Sequence, residues 1–133
     1  MFTKICKGDT KIIEVYTDAN PKMVCIAIEK PEKRIGFERR FDLIVLDTEC
    51  DEFFEANAIR LALTYIPDKS DILLHCDKEG DIVAIQKGKS SNKEFQDIIT
   101  QIKTLETEKS LSIEYVSVPR KENYSGRILE KVQ

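Results

Sequence analysis

The spacing of apolar residues changes partway along the chain, and this change most constrains the fold. Three runs rich in β-branched and aromatic residues occupy positions 12–17, 23–28 and 34–45. Turn signals separate them at Asp18-Ala19-Asn20-Pro21 and around Pro31. Runs joined by such short links predict three antiparallel strands, with Gly36 as a candidate bulge in the third.

Residues 51–66 change to helical spacing. Their apolar side chains fall on one helical face: Phe54, Ala58, Leu61, Ala62 and Tyr65. Asp47 and Thr48 are candidate caps before this helix, and Pro67 ends it.

The second half of the chain alternates between the two periods. Residues 71–76 are a short apolar run that predicts a buried strand, and residues 80–87 predict a short helix. Asn92 is the candidate cap of a longer helix whose apolar face carries Phe95, Ile98, Ile99, Ile102 and Leu105. Residues 111–118 alternate as a fifth strand, and residues 124–132 predict a final helix capped by Asn123.

This order predicts an α/β fold built on one mixed five-stranded sheet. Three antiparallel strands come first, and two strands then enter in parallel through helical crossovers, so that helices flank the sheet. A length of 133 residues suits a single domain over 1–133, with residues 1–10 as a lead-in segment.

Composition narrows the class of protein. No apolar run approaches the ~20 residues of a membrane-spanning helix, and the first residues lack the apolar stretch of a signal peptide. With 21 basic and 24 acidic residues, the chain is not a generally basic nucleic-acid binder. Cys6, Cys25, Cys50 and Cys76 form no CxxC pair, which favours reduced thiols in a cytoplasmic protein over a zinc site.

Three carboxylates are candidates for a shared site. Asp18 ends the first predicted strand, Asp77 follows the fourth, and Glu55 adjoins Phe54 inside the first helix. The predicted topology sets those two strands side by side, and carboxylates gathered there would repel one another unless a cation such as Mg²⁺ neutralised them. The alternative is that these acids are ordinary turn formers or solvated side chains.

Four segments together resemble type 1 ribonuclease H, over residues 11–132. The segment IEVYTDAN (13–20) resembles the family's first strand, which ends in Thr-Asp-Gly-Ser. FEANAIRLAL (54–63) resembles its first helix, and LLHCD (73–77) its fourth strand, which ends in Thr-Asp. YVSVPRKEN (115–123) resembles the motif Trp-Val-Pro-Arg-Glu-x-Asn that precedes the last helix. The order and spacing of these motifs favour a ribonuclease H-like fold.

The resemblance implies hydrolysis of the RNA strand of an RNA–DNA hybrid with Mg²⁺ or Mn²⁺. In the family's two-metal mechanism, Asp18 would bridge both ions, and Glu55 and Asp77 would hold the ion on the leaving-group side. The products would carry a 3′ hydroxyl and a 5′ phosphate, and contacts to the 2′-hydroxyl would select RNA. The predicted substrate-binding residues are Asn20, Lys22, Lys78, Arg120 and Asn123.

The sequence departs from the family pattern at several positions. The family's fourth acid, which helps to hold the water-activating ion, corresponds to Arg127, and arginine cannot ligate a metal. Asp51 and Glu52 replace the substrate-binding asparagines that precede the helix glutamate, and Ala19-Asn20-Pro21-Lys22 replaces a glycine-rich turn. The family's loop histidine before the last helix is also absent.

These departures leave three functions open. The first is an active metal-dependent ribonuclease H, and the second is an impaired or inactive domain that serves as a nucleic-acid or protein interaction scaffold. The third is a related nuclease acting on another nucleic acid.

Two further features also have alternative interpretations. His75 either faces the acidic site or is a hydrogen-bonded sheet histidine. A basic cluster is either a substrate contact or protection of an edge strand: Lys30, Lys33, Arg34, Arg39 and Arg40.

Overall fold

A five-stranded sheet carries three helices in the computed structural model, which describes residues 12–50, 52–119, 122–123 and 125. The strands are β1 (Ile13–Asn20), β2 (Met23–Glu29), β3 (Phe41–Asp47), β4 (Asp71–Cys76) and β5 (Ser112–Ser117). The helices are α1 (Phe54–Thr64), α2 (Glu79–Lys87) and α3 (Lys93–Glu108), and a 3-10 turn spans Pro31–Lys33. Of the predicted final helix at 124–132, the described residues include only residue 125.

The sheet has the strand order β3-β2-β1-β4-β5. β2 runs antiparallel to both β1 and β3, whereas β4 runs parallel to β1 and to β5. The predicted mixed sheet is therefore confirmed. The ladder between β1 and β4 extends only from the pair Ile13 and Ile72 to the pair Tyr16 and His75, so both strands continue beyond it.

One face of the sheet packs against α1 and α3 and forms the core. The side chains that are almost completely buried there include Val15, Ile26, Ile59, Leu63, Leu74, Ile99 and Ile102. Burial of each large aliphatic side chain contributes about 1.5–3 kcal/mol. The apolar residues that recur at helical spacing in the sequence are thus the side chains with which each helix faces the core.

The opposite face carries a polar network around Glu14. His75 Nε2 lies 2.9 Å from Glu14 Oε1, and the imidazole stacks on Tyr16 at 4.2 Å between ring centroids. Arg39 contacts both Glu14 at 3.0 Å and Glu29 at 2.9 Å. Of the two interpretations of His75, the hydrogen-bonded sheet histidine is confirmed.

The third strand begins later than predicted. The structure places its start at Phe41 rather than at residue 34, because the preceding residues fold back on themselves. Ile35 and Glu38 form an isolated bridge, with Gly36 between them at φ +59°. Gly36 is therefore a turn residue in the left-handed region, not a bulge within a strand.

The first helix also begins differently from the prediction. It covers Phe54–Thr64 rather than 51–66, and neither Asp47 nor Thr48 caps it, because Asp47 ends β3 and Thr48 donates its N–H to the Lys22 carbonyl at 2.9 Å. The chain instead enters α1 through Phe53 in the left-handed conformation, φ +56°. Its ring stacks on Phe95 at 4.7 Å, so a tertiary contact stabilises this entry.

Asn92 caps α3 as predicted. Its Oδ1 accepts a hydrogen bond from the Phe95 N–H at 3.1 Å. We expect Asn92→Ala to lower the free energy of unfolding by about 1 kcal/mol, because one N–H at the helix end loses its partner. Urea unfolding measures the loss, with the neighbouring exposed Ser91→Ala as the control. Equal losses in the two variants would contradict the capping role.

Candidate active site

Asp18 lies where β1 extends beyond its parallel neighbour. The last pair of that ladder is Tyr16 with His75, so the two strands stop pairing at their carboxyl ends, which is where sheets of this kind carry their ligand-binding crevice. Asp18 lies in the outgoing part of β1 and is only 1% exposed. Its backbone stays fixed because Asp18 is still paired with Cys25 of β2.

Glu55 reaches Asp18 from the first turn of α1. Its Oε1 accepts a hydrogen bond from the Ala19 N–H at 3.3 Å, so the carboxyl group is held against the end of β1. The Glu55 and Asp18 side chains also share a hydrogen bond. Glu55 is 6% exposed, so this pair of carboxyl groups is almost entirely removed from water.

Asp77 and Cys76 complete the group from the end of β4. Ligand atoms of Glu55, Cys76 and Asp77 all lie within 4.8 Å of one another. The buried Cys76 thiol donates to Glu55 Oε2 at 3.7 Å, while Asp77 is half-buried. Glu55 therefore interacts with both Asp18 and Asp77, while the close group of ligand atoms holds Glu55, Cys76 and Asp77 and does not include Asp18.

The electrostatics of the group centre on Glu55. Burial, together with the charges of Asp18 and Asp77, raises the pKa of Glu55 to about 9. Burial also raises the pKa of the Cys76 thiol to about 12. At neutral pH the glutamate thus holds a proton that it would release only to a competing positive charge.

This donor set fits a divalent cation. A hard ion such as Mg²⁺ or Mn²⁺ prefers carboxylate oxygens, and it would relieve the repulsion that raises the pKa of Glu55. The adjoining Cys76 thiol also has a raised pKa, so an ion that bound through its sulfur would have to displace a second proton. Asp18, Glu55 and Asp77 are the residues that would hold such an ion.

Asp81 supports the site from α2 and was not among the predicted residues. Phe53 gives α1 no side-chain cap, and the buried Asp81 carboxylate lies near the N–H of Ala56, the residue after Glu55. Burial raises the pKa of Asp81, while Lys78 counteracts the rise. The sequence signal that could have identified Asp81 is its place four residues after Asp77, about one helical turn away.

We expect Asp81→Ala to lower the free energy of unfolding by about 1 kcal/mol, because the first turn of α1 would lose the carboxylate that lies near its N–H groups. Chemical denaturation measures this loss. The matched control is Glu79→Ala, since Glu79 is an exposed acid in the same first turn of α2. If both variants lost the same stability, the effect would belong to the end of α2 and not to the contact with α1.

Three of the predicted substrate-binding residues have different surroundings in the structure: Asn20, Lys22 and Lys78. Asn20 Oδ1 accepts from the backbone N–H groups of Lys22 and Met23 and so shapes the turn between β1 and β2. Lys22 is exposed in that turn, and the exposed Lys78 precedes α2 with its ammonium 5.9 Å from the centre of the Phe54 ring. Both lysines adjoin the acidic group in sequence or space, and their contact with a substrate stays a prediction.

Asn123 returns to β1 from the far end of the chain. It is fully buried, and its Nδ2 donates to the Thr17 carbonyl at 2.9 Å. Ser125 donates in the same way to the Tyr16 carbonyl at 2.7 Å. The segment after β5 is thus tied to the strand that carries Asp18. Asp51, Arg120 and Arg127 lie outside the described residues.

Comparison with known proteins rests on structure alone. No protein-family model matches the sequence, and no curated protein resembles it significantly.

Within the described part of the chain, no helix is long and apolar enough to cross a membrane.

Solved structures of ribonuclease H domains are similar to this chain. The N-terminal RNase H domain of a Mycobacterium tuberculosis protein, solved as a fusion with maltose-binding protein, superposes with a TM-score of 0.62 at 13% identity, covering 90% of this chain and 95% of that one. RNase H1 isolated from compost gives 0.59 at 22% identity, with 89% and 91% covered. RNase H1 of the archaeon Halobacterium salinarum gives 0.59 at 16% identity, with 88% and 91% covered. Together with the strand order, these similarities establish that the chain has the ribonuclease H-like fold.

Proposed function

We propose that this protein is a metal-dependent endonuclease that hydrolyses the RNA strand of RNA–DNA hybrids. The observation that carries the proposal is the position of Glu55, which interacts with Asp18 near the end of β1 and lies within 4.8 Å of Asp77 after β4. Burial and the charges of Asp18 and Asp77 raise the pKa of Glu55, and a raised carboxyl pKa is typical of a site that binds cations.

The roles of the residues follow from their positions. Asp18, Glu55 and Asp77 would hold Mg²⁺ or Mn²⁺, and Glu55 would release its proton when the cation binds. When bound, the ions supply Lewis-acid stabilisation of the attacking and departing oxygens at the scissile phosphate. Lys22 and Lys78 would attract the phosphates of the duplex from the exposed loops beside the crevice.

A second candidate is an inactive interaction scaffold with the same fold. The burial of Asp18 and Glu55, and the hydrogen bond that they share, favour it, because a closed and proton-neutralised pair competes with a metal. Arg127 also favours the inactive scaffold, because it stands where the family pattern has its fourth acid.

A labelled RNA–DNA hybrid tests the two candidates, with Mg²⁺ and then Mn²⁺, beside an RNA duplex and a DNA duplex as controls. Metal-dependent cleavage of the hybrid's RNA strand, leaving a 3′ hydroxyl and a 5′ phosphate, would support the nuclease. Cleavage by Arg127→Asp alone would identify a scaffold disarmed at that position. If neither protein cleaved and neither bound Mg²⁺ by calorimetry, the metal-dependent function would be wrong.

A cytoplasmic location belongs to the same proposal. Among the described residues, Cys25 and Cys76 are buried free thiols, as expected in a reducing compartment.

A further inference from the structure

The ligand atoms that lie closest together in the candidate site are two carboxyl groups and a thiol. Glu55, Cys76 and Asp77 each offer one such atom, and the three atoms lie within 4.8 Å of one another. The resemblance to ribonuclease H implies three carboxylates instead, and Cys76 stands where the family's fourth strand has threonine. The fold therefore gathers a mixed sulfur and oxygen donor set that the family pattern does not imply.

The distance between the sulfur and Glu55 already suits two ligands of one ion. Cys76 Sγ lies 3.7 Å from Glu55 Oε2, with the thiol proton between them. Zinc lies about 2.3 Å from sulfur and about 2.0–2.2 Å from oxygen, so a sulfur and an oxygen ligand of one tetrahedral ion are about 3.5–3.7 Å apart. An ion that replaced the shared proton would thus find both ligands at the separation that it requires.

The backbone holds the Cys76 sulfur in place beside Glu55. Cys76 ends β4, where it is paired with Ser117 of β5, and its side chain is fully buried. Its Sγ accepts a hydrogen bond from the Lys78 N–H at 3.5 Å. A donor of this kind favours the negatively charged thiolate, which is the form of cysteine that binds a metal.

Asp81 provides an independent indication of a cation at this place. Its side chain is only 6% exposed, and its Oδ2 has no hydrogen-bond partner within the part of the chain that the structure describes. It lies near enough to Cys76 for its charge to act on the thiol. Because a buried carboxylate oxygen without a donor is costly, a positive ion beside Cys76 would supply the interaction that Asp81 lacks.

The sulfur decides which class of cation the group prefers. Carboxylate oxygens alone suit Mg²⁺ and Mn²⁺, whereas a thiolate selects softer ions. Zn²⁺ accepts cysteine, glutamate and aspartate as ligands, and three protein ligands leave its fourth position open. It also binds a given set of such ligands more tightly than Mn²⁺ does.

We propose that Cys76 is a metal ligand, and that Glu55, Cys76 and Asp77 together bind Zn²⁺ in preference to Mg²⁺. On binding, the S–H bond of Cys76 and the O–H bond of Glu55 break, both protons pass to solvent, and bonds from sulfur and oxygen to the ion form. This inference rests on the cation site of the proposed function but not on cleavage. Since both ions need Glu55 and Asp77, Zn²⁺ competes with Mg²⁺ for the site.

Titration of the native metal-free protein with Co²⁺, followed by ultraviolet absorption, tests the sulfur ligand. A bond between cobalt and a thiolate gives a charge-transfer band that carboxylate ligands do not give. We expect this band to saturate at one ion per chain and to disappear when Zn²⁺ displaces Co²⁺. The native protein should therefore report the ligand without any substitution.

Cys76→Ser should remove the band and weaken Zn²⁺ binding by at least about a hundredfold, because even partners of metal ligands contribute up to that factor. Mg²⁺ binding, measured by calorimetry, should stay unchanged. The matched control is Cys25→Ser, which removes an equally buried free thiol from β2 and should keep the band.

Asp77→Asn tests the same site without a change in the core, because Asp77 is half-buried. It should weaken Co²⁺ binding and the band, whereas Asp71→Asn, at the other end of β4, should not. No band in the native protein, a band kept by Cys76→Ser, or equal effects of the two aspartate variants would overturn the proposal.

Binding and cleavage separate this inference from the nuclease function. Binding of Mg²⁺ with cleavage of the hybrid, but without a thiolate band, would refute Cys76 as a ligand and leave the nuclease standing. A band that Cys76→Ser removes, in a protein that cleaves no hybrid, would support the zinc site and refute only the nuclease.

Discussion

Asp18→Asn should abolish metal-dependent cleavage of an RNA–DNA hybrid while leaving the protein folded. Asparagine keeps the size of the side chain but removes the charge that would help to hold the cations. Loss of a few kcal/mol of transition-state stabilisation corresponds to a rate reduction of at least about a thousandfold. The measurement is the initial rate of RNA-strand cleavage at saturating Mg²⁺.

Stability separates this effect from misfolding. The charge of Asp18 is one of the causes that raise the pKa of Glu55, so removing it should preserve the free energy of unfolding or increase it. Asp71→Asn is the matched control, because Asp71 begins β4 at the end remote from Asp77. Undiminished cleavage by Asp18→Asn, or equal loss in Asp71→Asn, would refute the assigned role.

Glu55 should make the stability of the metal-free protein fall as the pH rises. In the folded chain the pKa of Glu55 is about 9, against an ordinary value of 4.5. Between these values the folded state keeps a proton that the unfolded state has lost, so raising the pH favours unfolding. The slope is at most about 1.4 kcal/mol per pH unit, and the contribution is constant below the lower value and above the higher one.

Urea unfolding at several pH values between about 6 and 9 measures this slope. Glu55→Gln should flatten it, since an amide does not titrate, while Glu52→Gln should leave it unchanged because Glu52 is exposed. Added Mg²⁺ should stabilise the native protein more at high pH, because fewer Glu55 side chains then carry a proton that the ion has to displace. Parallel pH profiles for the native protein and Glu55→Gln would show that the glutamate is not the group responsible.

The sheet and the acidic site could be predicted because local patterns determine them. Alternating residues such as those of β5 and the apolar stripe of α3 identify their elements directly. The crossover rule then sets β4 beside β1, which brings Asp18 and Asp77 to the same crevice. No knowledge of side-chain packing was needed for that step.

The features that escaped prediction depend on contacts between distant residues. Phe53 begins α1 in a left-handed conformation because Phe95, on α3, stacks on its ring. The Asp81 carboxylate of α2 lies near the first turn of α1, a contact that no pattern within either helix reveals. The late start of β3 likewise follows from ion pairs of Arg34 and Arg39 with Glu29, which fold the preceding segment back.

The position of Cys76 gives the candidate site a chemical reporter of its own. Only the thiolate reacts with alkylating reagents, and a pKa of about 12 leaves roughly one thiol in ten thousand ionised at pH ~8. The side chain is also completely buried, so alkylation has to wait for β4 to open. The rate of alkylation at Cys76 therefore measures how often the end of β4 opens, and any ligand that holds Glu55 and Asp77 together will slow it.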